Sequence, residues 1–222
     1  MSGAGGTLTL TGYCDSVYTR SVRIALAEKG AFYQYVECNP FNTADALRVM
    51  QVHPFGRVPV LEDEGFRIYE TPAILDYAEG LEGPSLVPAD LRRAVRMRQV
   101  IALVDSYAYW PLVRQAFSHG AYLPLIGEET DAVELQAGLD AAPRVLDALE
   151  ELATEGLVLN PGQVCLASCH LFPMLDYFAM VAEGREMLLM RDGLSAWMYW
   201  MGQRASVIGT RPVVANREGD AE

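Results

Sequence analysis

No stretch of this 222-residue chain runs to about 18 uncharged apolar residues, so no segment qualifies as a membrane-spanning helix. Nor does the chain open like an exported protein. Residues 1–6 are small and lack both a basic flank and an apolar core, so no secretion signal is expected there. Cysteine is sparse. The four present (Cys14, Cys38, Cys165, Cys169) read as reduced thiols of a cytoplasmic protein rather than as a disulfide frame. Positive charge is scarce as well: 17 basic residues stand against 29 acidic ones, for a net charge of −12, and the arginines are scattered. A phosphate backbone would be repelled, which excludes nucleic acid as a partner. What the chain does have is apolar surface. At 51% hydrophobic it can offset chain entropy over most of its length, as one large domain or two small ones.

Its two halves differ in period. Residues 7–11 alternate Thr with Leu, as a strand with one buried face does. Residues 19–29 place Val22, Ala25 and Leu26 at helical spacing, with Gly30 at the stop. Residues 32–38 alternate again, and 43–50 read as a short helix capped by Asn42 or Thr43. Residues 58–61 and 66–69 form a hairpin around 62–65, and Thr71-Pro72 opens another helix with Pro at its first position. The predicted order is β-α-β-α-β-β-α, with a parallel right-handed first crossover and an antiparallel edge pair.

A Gly/Pro-rich break at 80–88 follows, and everything after it reads helical. One long helix over 89–119, lined by Leu91, Val95, Val100, Val104 and Tyr107, is expected to kink near Tyr107 because Pro111 lies inside it. Further helices are expected over 128–152, 165–182, 183–190 and 194–207, with an acidic frayed tail at 218–222. The domains are therefore 1–80 (α/β) and 89–222 (all-α).

Three stretches carry chemistry: 16–30 (SVYTRSVRIALAEKG), 53–61 (HPFGRVPVL) and 70–77 (ETPAILDY). Pro59 interrupts a predicted strand, which calls for a special reason. A cis Val58–Pro59 bond would supply one, turning the Val58 N–H and C=O outward to pair with an extended peptide. Glu70 and Thr71 put a carboxylate, a hydroxyl and a backbone N–H at one helix N-terminus. Thr71 suits a carboxylate and Glu70 an ammonium, together the ends of a zwitterionic α-amino acid, though Thr71 also reads simply as a cap. Ser16 lies between the first strand and the first helix. A bound thiol there meets a hydroxyl donor and a positive dipole end, both favouring thiolate; a plain capping serine is the other reading.

In this order and spacing the three stretches resemble the soluble glutathione transferases of serine type, whose likeness covers the first domain in detail and the second in layout. The resemblance implies a thioredoxin-like N-terminal domain and an all-helical C-terminal one. It also implies a cis Val58–Pro59 bond, glutathione as co-substrate, an apolar electrophile, a homodimer and a role in detoxification. By the same resemblance Ser16 is the catalytic residue, and Arg57, Val58, Pro59, Glu70 and Thr71 bind glutathione. Tyr107, Trp110 and Arg114 are electrophile-site candidates, in a site expected between the first domain and the kinked helix. Tyr13 and Cys14 are the runner-up catalytic residues, matching tyrosine-type and cysteine-type classes; Cys14 stands two places before the family's cysteine position and reads as an inert thiol. Arg57 replaces the Gln of many serine-type members. Residues 39–43 lack the basic pair that often grips the glycyl carboxylate, so Arg57 is the candidate to compensate. A non-enzymatic binding relative, or a glutathione-dependent isomerase, dehalogenase or etherase, shares the same pattern.

Other signals are weaker. Cys165, Cys169 and His170 lack a fourth ligand nearby, so no metal site is expected. Cys165 stands where the family has Ser or Thr in a capping box, which predicts a weakly started helix. The run 197–201 (WMYWM) reads as core. Arg92, Arg93 and Arg96 read as a solvated face, or as partners for Asp76 or Glu79 of a second subunit.

Overall fold

The structure, a computed structural model, describes residues 8–212. The expectations for residues 1–6, Thr7 and the tail at 218–222 lie outside the described residues. Two compact units divide between Ser85 and Leu86. Among the described residues no helix is long and apolar enough to cross a membrane.

The first unit runs β1 (Thr9–Gly12), α1 (Val17–Lys29), β2 (Gln34–Glu37), α2 (Thr43–Val52), β3 (Val60–Asp63), β4 (Phe66–Tyr69) and α3 (Thr71–Glu79). Its four strands lie in the order β2-β1-β3-β4, with β1 parallel to β2 and the other neighbours antiparallel. The Val58–Pro59 bond is cis, and β3 starts at Val60, two residues later than the pattern suggests. The hairpin turn narrows to Glu64-Gly65, at φ 50° and 85°, a pairing of positive φ values that matches strand twist. Thr71 takes the first position of α3, so Pro72 stands second.

Leu8, Leu10 and Leu61 from the sheet meet Val22 and Leu26 of α1 and Ile74 and Ala78 of α3 in one buried cluster. Each helix supplies an i,i+4 pair, so a single stripe faces the sheet. Each fully buried Leu or Ile is worth about 1.5–3 kcal/mol. The buried Lys29 closes the far end of this layer by donating to the Glu79 carbonyl at 2.9 Å, a cation placed at the negative end of α3.

The second unit runs α4 (Leu91–Leu103), a π-wound segment (Val104–Tyr122), α5 (Leu123–Ile126), α6 (Ala132–Glu155), α7 (Leu166–Phe178), α8 (Ala182–Leu189), α9 (Asp192–Gly202) and α10 (Ala205–Ile208). The expected long helix, for which a kink or break near Tyr107 is predicted, is interrupted by a change of winding. It changes winding at Val104, three residues earlier, and Pro111, which has no N–H to donate, sits inside the wider segment. Its lining also differs from the expected one. Met97, Val100, Ile101 and Val104 are buried at i, i+3, i+4 and i+7, while Leu91 and Val95, on the opposite side of α4, are exposed.

Two further expectations are corrected. Arg96 is bound by Glu155, with its Nε at 2.6 Å, and Arg93 donates to the Leu157 carbonyl at 3.0 Å and to Gln163. Glu79 faces Lys29 at 3.7 Å and accepts from the Ser85 hydroxyl at 2.6 Å. These side chains thus have partners within their own chain. The start of α7 is also not bare: Ser168 brings the hydroxyl that Cys165 lacks, accepting the Cys165 N–H at 3.3 Å. Nearly all of α7 is buried, and its His170 pairs with Asp105 of the π-wound segment at 3.0 Å.

Gly138 marks a close contact between α6 and the π-wound segment. A Cβ there would lie 2.6 Å from the Pro111 carbonyl oxygen and 2.7 Å from the Ala116 nitrogen. These are backbone atoms and cannot swing away. Gly138→Ala should therefore destabilise by about 1–3 kcal/mol, despite the higher helix propensity of Ala. Urea unfolding monitored by circular dichroism would read this as a lower midpoint.

Candidate active site

The register of the sheet decides which residues meet. Thr11 pairs with Val60, and Val60 with Tyr69, so the three lie in one row at one end of the sheet. Immediately beyond that row come the 13–16 loop, the cis Val58–Pro59 pair and the Glu70-Thr71 turn. Gly12 pairs with Glu37, which brings the end of β2 to the same place. Ser16, Val58, Pro59, Glu70 and Thr71 are thus gathered at one sheet end, with the exposed Arg57 beside Val58.

Ser16 is the N-cap of α1, and its half-buried hydroxyl oxygen accepts the Thr19 N–H at 3.3 Å. That bond uses an acceptor lone pair and leaves the O–H as a donor. Thr19 ties the loop a second time, its own hydroxyl accepting the Tyr13 N–H at 3.3 Å. Gly12 makes room for this clamp, since a Cβ there would lie 2.3 Å from the Thr19 methyl.

The two competing residues are occupied otherwise. The Tyr13 hydroxyl donates to Asp15 at 3.2 Å, so its proton is directed at a carboxylate. The Cys14 thiol is pushed up to about 12 by burial, with Asp15 and Glu37 adding like charge. Its backbone N–H is also tied, to Glu37 at 3.1 Å.

At α3 the arrangement differs. Thr71 is buried at the first helical position, and the N-cap is Glu70, whose side chain makes no capping bond. Glu70 has φ 68° and ψ 115°, a left-handed backbone that costs a non-glycine residue about 1–3 kcal/mol. Neither α1 nor α3 carries an acidic residue in its first turn, whereas α2 and α6 do. The first turns of α1 and α3 therefore leave their positive ends to the residues before them, Asp15 and the Glu70 N-cap.

One residue of this cluster received no role in the sequence reading. His53, the C-cap of α2, is 3% exposed; its Nδ1 accepts the Phe55 N–H at 3.1 Å and its Nε2 lies 3.9 Å from Glu70 Oε1. Burial lowers its pKa, Glu70 partly opposes that, and Arg57 adds to it. Its position at the head of the 53–61 stretch was the available signal. The remaining candidates, Tyr107, Trp110 and Arg114, lie on the π-wound segment of the second unit, all exposed.

With its thiol at about 12, Cys14 should be nearly inert: at pH 8 about one molecule in ten thousand is thiolate. Iodoacetamide should label it about a hundredfold or more slowly than free cysteine, with a rate still rising at pH 10, as followed by peptide mass spectrometry.

Known proteins place this arrangement in a family. A model described as the glutathione S-transferase N-terminal domain matches residues 10–85. A glutathione S-transferase of Pseudomonas putida is 32% identical over 72% of this chain and 73% of its own. The uncharacterized GST-like protein YibF of Escherichia coli is 33% identical over 80% of this chain and 86% of its own. Among solved structures, glutathione transferase F7 of Populus trichocarpa has the same fold, with a TM-score of 0.79 at 21% identity over 95% of this chain and 99% of its own. The extent and identity of the two bacterial matches, joined to the motif order and the sheet described above, establish that the chain belongs to the glutathione S-transferase family.

Proposed function

We propose that this glutathione transferase holds its co-substrate along the end of the first unit's sheet and activates the sulfur at Ser16. The observation that carries the reading is the single row Thr11–Val60–Tyr69, which delivers the Ser16, Val58 and Glu70-Thr71 turns together. The γ-glutamyl carboxylate lies at the α3 N-terminus, where the Thr71 N–H and hydroxyl receive it in the absence of a side-chain cap. Glu70 takes the adjacent ammonium. The cysteinyl backbone pairs with Val58, which stands just outside the β3 ladder beside the buried Pro59. Arg57 takes the glycyl carboxylate.

The glutathione S–H proton leaves to solvent, and the sulfur retains the charge because Ser16 donates to it at the positive end of α1. A pKa lowered by about two units corresponds to roughly 2.7 kcal/mol, within reach of one charge-assisted hydrogen bond plus a helix dipole. The thiolate then forms a C–S bond with an apolar electrophile, for which Tyr107, Trp110 and Arg114 are the proposed contacts. Tyr13 and Cys14 are set aside in favour of Ser16 because the phenol donates to Asp15 and the thiol is held protonated. Conjugation of apolar electrophiles suits a detoxifying role, and the free thiols of Cys14, Cys38, Cys165 and Cys169 suit the cytoplasm.

Ser16→Ala should raise the pKa of bound glutathione, read from thiolate absorbance, and cut turnover roughly 10- to 1,000-fold with little change in affinity. Glu70→Gln and Thr71→Val should instead weaken binding by about 1.5–3 kcal/mol each in calorimetry. Full activity in Ser16→Ala beside a dead Tyr13→Phe would reverse the assignment of the sulfur ligand, and unchanged affinity in both binding variants would remove the γ-glutamyl site.

The homodimer is proposed on the family resemblance and on apolar surface rather than on the arginines. Leu91 and Val95 form an i,i+4 apolar pair on α4, exposed by 76% and 53%, which a second copy would cover. Light scattering should give a mass near twice 24.4 kDa that persists in 0.5 M salt, because apolar contacts are not screened. Val95→Glu should shift it toward the single-chain mass.

A further inference from the structure

We infer that His53 is a positioning residue that presents the Glu70 carboxylate to the ammonium of glutathione and releases that hold when it takes up a proton. The inference rests on the γ-glutamyl site proposed above. Its basis is the path of one imidazole between two elements of the site. The ring is buried at the end of α2, 4.9 Å from the Tyr69 ring of β4 and 6.0 Å from that of Phe55. Because Nδ1 accepts the Phe55 N–H at 3.1 Å, the proton of the neutral ring sits on Nε2. Nε2–H faces Glu70 Oε1 at 3.9 Å, a small rotation from a hydrogen bond. Glu70 is the N-cap of α3 and its side chain makes no capping bond, so its carboxylate is left facing the imidazole.

A second proton changes both contacts. Nδ1 becomes a donor and cannot accept from Phe55, so the 53–57 loop loses its tie to the ring. The imidazolium then pairs with Glu70 itself, competing with and repelling the ammonium of the ligand. The charged groups facing the ring are Glu70, which favours its protonation, and the Arg57 guanidinium, which opposes it. Burial also opposes it and outweighs Glu70, so the neutral ring is the working form at neutral pH. Affinity for the γ-glutamyl group should therefore be complete above the His53 pKa and fall as pH drops through it, below the ordinary histidine value of about 6.5. By reciprocity, an ammonium arriving at Glu70 must lower that pKa further.

The test uses the full chain and two probes: S-methylglutathione, whose sulfur cannot ionise, and the same molecule lacking the α-amino group. In proton NMR titrations, with the His53 signal identified by its loss in His53→Asn, S-methylglutathione should lower the His53 pKa by about half a pH unit or more. The desamino probe, bound at saturating concentration, should not. The Asn carbonyl can still accept the Phe55 N–H two residues on, so the loop turn is retained. His53→Asn should bind S-methylglutathione about three- to tenfold more weakly at pH 7.5, lose the decline between pH 7 and 5, and put its kinetic loss into KM for glutathione rather than kcat. Equal His53 pKa values with both probes, or an acid decline that persists in His53→Asn, overturn the inference. Weakened binding in Glu70→Gln beside an unresponsive His53 overturns it alone, whereas unchanged binding in Glu70→Gln removes the ammonium contact and this inference with it, and unchanged binding in Thr71→Val as well removes the whole γ-glutamyl site.

Discussion

The candidate site depends on one buried row of the sheet. Leu10 pairs with Leu61, and Leu61 with Ile68, and the first two are completely buried against α1 and α3. Side chains alternate faces with a period of two, so a slip of one residue would turn Leu61 out of the core and forfeit about 1.5–3 kcal/mol for that residue alone. Burial thus fixes the register, and the register fixes the neighbouring row Thr11–Val60–Tyr69. Three turns, the first some forty to fifty residues of chain before the other two, leave the sheet together for that reason. The chemistry sits on loops, but the precision comes from leucines that no ligand touches.

An acidic chain that holds an anionic tripeptide has to solve an electrostatic problem locally. With a net charge of −12 the long-range field repels the ligand. The site answers with backbone rather than with many cations. The N-termini of α1 and α3 point at the same sheet end, neither carries an acid in its first turn, and Arg57 adds one formal charge. Glu70 is the exception, and the ammonium contact proposed for it accounts for that. The same backbone field suits the serine proposed as the sulfur ligand: a neutral donor suffices where a helix end already favours the anion.

Much of this was legible in the chain itself. The Gly30 stop, the Asn42 cap, the Glu64-Gly65 turn and the helix opening at Thr71-Pro72 are local features, set by the dihedral and hydrogen-bonding needs of a few residues. Other features were not legible. Arg93 and Arg96 read as a surface stripe because their partners, Gln163 and Glu155, lie some sixty to seventy residues away. The shift to π winding at Val104 responds to packing against α6, where Gly138 admits the Pro111 backbone, and hydrophobic spacing alone could not reveal it. The start of α7 is a further case, because the hydroxyl comes from Ser168, three residues past the cap position, and accepts the Cys165 N–H.

The sequence by itself determined the order of elements, the residue types at each turn and the family, since these follow from local periodicity and from motifs read along the chain. It also held the catalytic candidates, with Ser16 ranked first by the family resemblance alone: Tyr13, Cys14 and Ser16 lie within four positions and each suits a thiol. The tertiary structure supplied their surroundings. Asp15 and Glu37 engage the first two, the Thr19 N–H donates to the Ser16 hydroxyl oxygen and leaves its O–H as a donor, and the end of α2 brings His53 beside Glu70. Those outcomes depend on which charges and dipoles approach within a few ångströms, and Coulomb energies are set by distance in space, which a linear order of residues does not contain.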